Sequence, residues 1–171
     1  MQNPDSPQAT APQIRRVSTN EFPFHHAVSF EECDWKDMDE MRMQCRGNLL
    51  FFVATAMHPQ TAGMPEEAAL DRDSLVGFLI ADIERDEDGE VYGSLVNLTA
   101  SQLEEQPDAV KIALIRRWQE ECRQELWDGL RAGVSPEQRK RRELLDQEGF
   151  LSLGVCPCCD AEALQWKARE E

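Results

Sequence analysis

Ser74 to Leu98 is the stretch whose reading decides the fold. Leu75-Val76-Gly77-Phe78-Leu79-Ile80-Ala81-Asp82-Ile83 runs one way, Arg85-Asp86-Glu87-Asp88-Gly89 turns, and Val91-Tyr92-Gly93-Ser94-Leu95-Val96-Asn97-Leu98 returns. Both runs are rich in β-branched and aromatic residues. An Asp-Gly pair closes the turn because glycine enters the φ > 0 region without steric cost, so the stretch predicts a β-hairpin. The first run, and a second from Leu49 to Met57, is apolar on both faces, unlike an antiparallel strand with one wet face. Either helices cover both faces of this sheet or one face meets a partner.

Working outward, Phe22, Phe24, Val28 and Phe30 alternate imperfectly and predict an edge strand interrupted by Pro23. Asp34 reads as an N-cap, with Trp35, Met38, Met41 and Cys45 at helical spacing and Gly47 ending the helix. His58 to Asp73 is a long polar connection with a helical turn at Pro65, and Met1 to about Asn20 has the composition of a disordered arm. On the other side, Ser101 and Glu104 form an S-x-x-E capping box. The principal helix is expected from Pro107 to Ala132, on the stripe Val110, Leu114, Trp118, Cys122, Leu126 and Leu130 widened by Ile115 and Trp127. Ser135-Pro136-Glu137-Gln138 starts another helix, Phe150 to Val155 reads as a small strand, and Leu164 and Trp166 as a short terminal helix.

The expected fold is therefore α+β: an antiparallel sheet of about three or four strands, with the hairpin 74–98 at its centre. Helix 107–132 and shorter flanking helices pack it. The expected organisation is a disordered arm (1–20), one α+β domain (21–150) and a C-terminal cysteine-rich turn with a short helix (151–171).

A length of 171 residues, 41% hydrophobic and 30% charged, suits one ordinary domain. The formal net charge of -15 is not ordinary. Such a surface repels phosphate backbones and acidic membranes, so it disfavours nucleic-acid and membrane binding and favours a protein partner, most simply a basic one. Residues 61–90 hold ten acids against two bases. Carboxylates gathered in this way could imitate a nucleic acid and block the groove of a DNA- or RNA-binding protein. The basic run Arg139-Lys140-Arg141-Arg142 is balanced locally by Glu137, Glu143, Asp146 and Glu148, and reads as a solvated helix face. Six cysteines without a secretory leader or a long apolar run point to the cytoplasm.

Cys156-Pro157-Cys158-Cys159-Asp160 carries the strongest chemical signal. A C-x-x-C turn can aim two thiolates at one tetrahedral zinc ion. The five residues resemble one knuckle of a zinc ribbon, with Asp160 where such knuckles usually have glycine. The sequence has no second C-x-x-C, so Cys156, Cys158 and Cys159 are the candidate ligands, completed by Cys33 or His25, by His26 or His58, or by thiols of a second chain. The same spacing at a helix start would lower a thiol pKa for redox work, but no βαβ setting surrounds it. Cys45 and Cys122 lie on apolar stripes and read as core. Glu84-x-Asp86-x-Asp88-Gly89 opens like a calcium loop, yet the twelfth position is Leu95 instead of a bidentate glutamate.

No G-x-S-x-G, Walker loop, G-x-G-x-x-G or H-E-x-x-H is present. A strand pair like 75–98 followed by a capped helix resembles the centre of acetyl-CoA-dependent N-acetyltransferases. Those enzymes carry a glycine-rich pyrophosphate loop after the second strand, where this chain has Thr99-Ala100-Ser101-Gln102-Leu103-Glu104-Glu105-Gln106. The expected function is a non-enzymatic, acidic regulatory protein acting through protein–protein contact, with the cysteine turn as a structural zinc site or homodimer contact. An acidic nucleic-acid mimic is the alternative. An acetyltransferase-like enzyme without the usual loop stands third.

Overall fold

In the computed structural model of the chain, residues 12–31, 33, 35–44, 49–56, 75–102 and 104–168 are described. In chain order they form β1 (Gln13–Val17), α1 (Phe24–Ala27), α2 (Met38–Gln44), β2 (Leu49–Thr55), β3 (Leu75–Arg85), β4 (Val91–Ala100), α3 (Pro107–Gln124), β5 (Gly129–Val134), α4 (Arg139–Gln147), β6 (Leu151–Val155) and β7 (Glu162–Lys167). The hairpin is there. β3 and β4 pair antiparallel from Arg85↔Val91 to Gly77↔Ala100. Asp86 closes the turn, its Oδ1 accepting from the backbone N–H groups of Asp88 and Glu90, while Gly89 takes φ +83°. That carboxylate is engaged by its own backbone, as in an Asx turn, rather than set out for calcium.

The sheet around the hairpin is larger than expected. It has seven strands in the order β1-β2-β3-β4-β5-β7-β6, and β4 pairs β5 in parallel. This corrects the three-to-four-stranded antiparallel sheet, and each missing strand has a local reason. Residues 13–17, assigned by composition to the arm, form an edge strand on β2, held to α3 where Arg16 Nη1 meets Glu121 Oε1 at 2.6 Å. Helix 107–132 ends instead at Gln124. Leu126 turns the chain at φ +61° with its side chain 75% exposed, and 129–134 re-enter as β5. Trp127 and Leu130 extend the helical stripe only by coincidence of spacing. The terminal helix is a strand too: Leu164 and Trp166 are buried two residues apart, as one face of β7.

The edge strand expected at Phe22–Phe30 is replaced by a turn and α1. Pro23 breaks the strand, and Phe22 and Phe24 pack their rings on Phe51 instead, with centroids 4.6 and 5.8 Å away. In α2, Asp37 Oδ1 caps the N–H of Glu40 at 2.8 Å. The readings made at Asp34, Cys45, Gly47, Met57, His58 and Pro65 lie outside the described residues.

Both sheet faces are covered by helices. Phe52, Leu79, Ala81 and Leu98 pack with Leu114, Ile115, Trp118 and Cys122 of α3 and with Leu144 and Leu145 of α4. Phe51, Val53, Phe78 and Ile80 pack with Phe22, Phe24, Ala27 and Met41 on the other side. Six of the seven residues of β2 are buried, which accounts for its unbroken apolar run. Among the described residues no helix is long and apolar enough to cross a membrane.

Candidate functional site

The sheet opens at one place. The parallel ladder between β4 and β5 consists of Tyr92↔Gly129, Gly93↔Leu130 and Ser94↔Arg131 and ends there, although β4 runs on to Ala100 and β5 to Val134. Immediately beyond it, β4 carries a bulge. Ile80 pairs Asn97 while Ala81 pairs Leu95, so Val96 is an extra residue against β3. A bulge bends its strand and re-aims the residues after it. The second half of β4 thus stays on β3 and leaves β5, which exposes a strand edge inside the sheet.

Polar groups gather along this edge. Thr99 Oγ1 donates to Asn97 Oδ1 at 2.7 Å, and both side chains are fully buried. Arg141 of α4 reaches in, its Nη2 donating to the Leu98 carbonyl at 3.1 Å. A cavity of about 320 Å³ lies alongside, lined by Glu31 and Cys33 after α1, Lys111 of α3, and Glu137, Gln138, Lys140 and Arg141 at the start of α4. Lys111 is 5% exposed. Asp108 bonds Lys140 at 3.0 Å and keeps its ammonium protonated beyond the ordinary lysine range. The first turn of α3 follows Gln106, whose side chain makes no cap, so the helix starts without a side-chain acceptor on its leading N–H groups. One buried donor lacks a partner among the described residues: Trp118 Nε1, beside Gly93 in the last pairs of the ladder.

The cysteines divide. Cys122 is fully buried, donates to the Trp127 carbonyl at 3.7 Å, and its thiol is pushed up to about 11 by burial, as a core residue should be. Cys156, Cys158 and Cys159 do come together on the β6–β7 turn, their sulfurs all within 4.8 Å of one another. The Cys158 thiol, bonded at 2.9 Å, is the chief reason the Cys156 thiol is lowered to about 7. Cys33 and His25 are not in that group. Cys33 lines the cleft cavity and His25 another cavity with Phe24, Met38 and Arg42. The structure places both apart from this turn. Asp160 adopts φ +59°, the conformation a glycine would take there, so the departure from a knuckle sequence leaves the turn intact.

No family model matches the chain, and no curated protein matches it. Solved structures match its fold over nearly its whole length. Aminoglycoside 6'-acetyltransferase type Ii superposes with a TM-score of 0.68 at 14% identity, covering 93% of this chain and 99% of that one. The IAA acetyltransferase from Bacillus cereus gives 0.64 at 13%, covering 92% and 99%. A protein of the GNAT family from Desulfovibrio desulfuricans gives 0.64 at 15%, covering 93% and 100%.

The chain has a GNAT-like acetyltransferase fold. This corrects the reading as a non-enzymatic regulatory protein, which rested on charge and on the absence of enzyme motifs, and with it the nucleic-acid mimic. The architecture agrees with the third reading. Sequence reasoning missed the bulge at Val96, which no residue type announces. It also missed Lys111, which drew no reading, and Arg141, read as part of a solvated helix face. The signal for Arg141 is the unusual density of bases at 139–142, which acids surround.

Proposed function

We propose that the chain is an acyltransferase that takes its acyl group from a coenzyme A thioester and passes it to an amine. The observation that carries this is the opened edge of β4 after Ser94. Backbone groups on a free strand edge pair with any extended chain that offers amides at strand spacing. The pantetheine arm of coenzyme A is such a chain, and the edge of β4 after Ser94 would take it. Its phosphates would fall to Lys111, Lys140 and Arg141 and to the start of α3, because the loop before α3 has Glu104 and Glu105 and no glycine. The bound thioester supplies an activated acyl carbon. Glu31 and Glu137 line the same cavity, so their carboxylates offset part of its basic charge. Zinc is proposed only for the cysteine turn and takes no part in acyl transfer.

Thermal melting with and without acetyl-CoA tests the reading. At 100 times Kd the ligand adds about 2.7 kcal/mol, which raises Tm by roughly 2–4 °C per kcal/mol in a chain of this size. Arg141→Glu is expected to remove most of that shift. An unmoved Tm at millimolar acetyl-CoA, with no acetyl transfer to a polyamine, would sink it.

A further inference from the structure

We propose that the β6–β7 turn is a three-thiolate metal site whose fourth coordination position is left to a small donor from solution. The inference rests on placing zinc at this turn and adds how the ion is held and what it leaves open. The thiols are gathered by the backbone. The ladder reaches Val155↔Glu162, the Cys156 N–H donates to the Ala161 carbonyl at 2.8 Å, and the Asp160 N–H donates to the Cys156 carbonyl at 2.9 Å. Asp160 in the left-handed region then closes the turn. With the backbone fixed this way, Cys156, Cys158 and Cys159 present three sulfurs at a spacing one ion can span.

Three thiolates suit a borderline or soft divalent ion, and zinc takes four ligands. Among the described residues no further His, Cys, Asp or Glu joins the group. Cys158 and Cys159 are exposed, so a donor from solution has access. Three thiolates on a divalent ion leave a net negative charge. Arg139 and Arg142 line the small cavity between this turn and the start of α4 together with Asp160 and Glu162, and Arg142 is paired with Glu162, which leaves Arg139 to oppose that charge. Binding releases the thiol protons to solvent. The chemistry of the open position is that of a small soft or nitrogen donor: a thiol, an imidazole or water.

The test is a Co²⁺ titration of the full, reduced chain, followed through its thiolate-to-cobalt absorption. The expected result is saturation at one ion per chain, with each of Cys156→Ser, Cys158→Ser and Cys159→Ser weakening binding by roughly 100-fold. Circular dichroism of each variant should be unchanged. Excess imidazole should then shift the ligand-field bands. No cobalt binding by the folded, reduced chain overturns the metal placement itself. A saturated site at one ion per two chains, or bands that imidazole leaves untouched, overturns the open position while keeping the metal.

Discussion

The two halves of the sheet are built to different standards. From β1 to β4 the strands are antiparallel and covered by helices on both faces, with Phe51, Phe52, Phe78, Leu79 and Ile80 all fully buried. From β5 to β6 the cover thins, and every residue of β6 is exposed, including Leu151 at 71% and Leu153 at 61%. The two halves meet through three ladder pairs, through side chains such as Arg131 against Tyr92 and Asp86, and through α3 and α4. One half is buried on both faces, while the other shares the core on its α3 side and ends in an exposed β6. The place where they part is the place where the molecule has a cleft.

Trp118 tests the junction most severely. Its indole is fully buried, stacks on Phe150 with centroids 6.0 Å apart, and lies against Gly93 of β4. Trp118→Ala is expected to cost about 3–5 kcal/mol, read as a lower urea midpoint. Gly129→Ala comes next. A Cβ there would lie 2.4 Å from the Trp166 carbonyl oxygen, which is backbone and cannot swing aside, so about 1–3 kcal/mol is lost. Because Gly129 belongs to the three pairs that join β4 to β5, its substitution should also weaken acetyl-CoA binding. If stability falls and binding does not, the cleft does not depend on how the halves are joined.

A pH experiment reaches the weaker half by itself. Arg142 of α4 donates to Glu162 of β7 at 2.7 Å and holds its carboxyl below the usual range. The unfolded chain therefore binds this proton more readily. The contribution is fully present above the ordinary carboxylate pKa and is lost as pH falls through the lowered, folded value. Urea melts from pH 7 to about pH 3 should show Glu162→Gln losing less than the parent over that interval. The smallest effect belongs to β6, where Leu153→Thr should change stability by less than about 0.5 kcal/mol. A larger loss would mean that this face is covered.

The same contrast governs what the sequence disclosed. The dense half was legible because a strand buried on both faces reads as an unbroken apolar run, as in 49–55 and 75–83. The thin half hid behind coincidence. Leu126, Trp127 and Leu130 continue the spacing of α3, and only a left-handed Leu126, which no propensity scale favours, reveals that the helix has ended. β1 has too few apolar residues to stand out from the arm. The three candidate thiols were legible because their spacing is local, four residues end to end. The cleft was not, since it joins Leu98, Lys111 and Arg141 through a bulge and a register that pairwise pattern cannot contain.

The parted strands have a consequence for selection. An edge on the outside of a sheet accepts a strand from any other chain. An edge enclosed between β4 and β5 admits only a guest with the girth of a single extended backbone, set by the strand spacing of roughly 4.8 Å. Arg141 already holds one carbonyl of that edge and must share it or withdraw as the guest enters. In the enzyme proposed above, such a cleft would sort by thickness before any side chain reads chemistry, and the enclosed edge is out of reach of a second chain's strand.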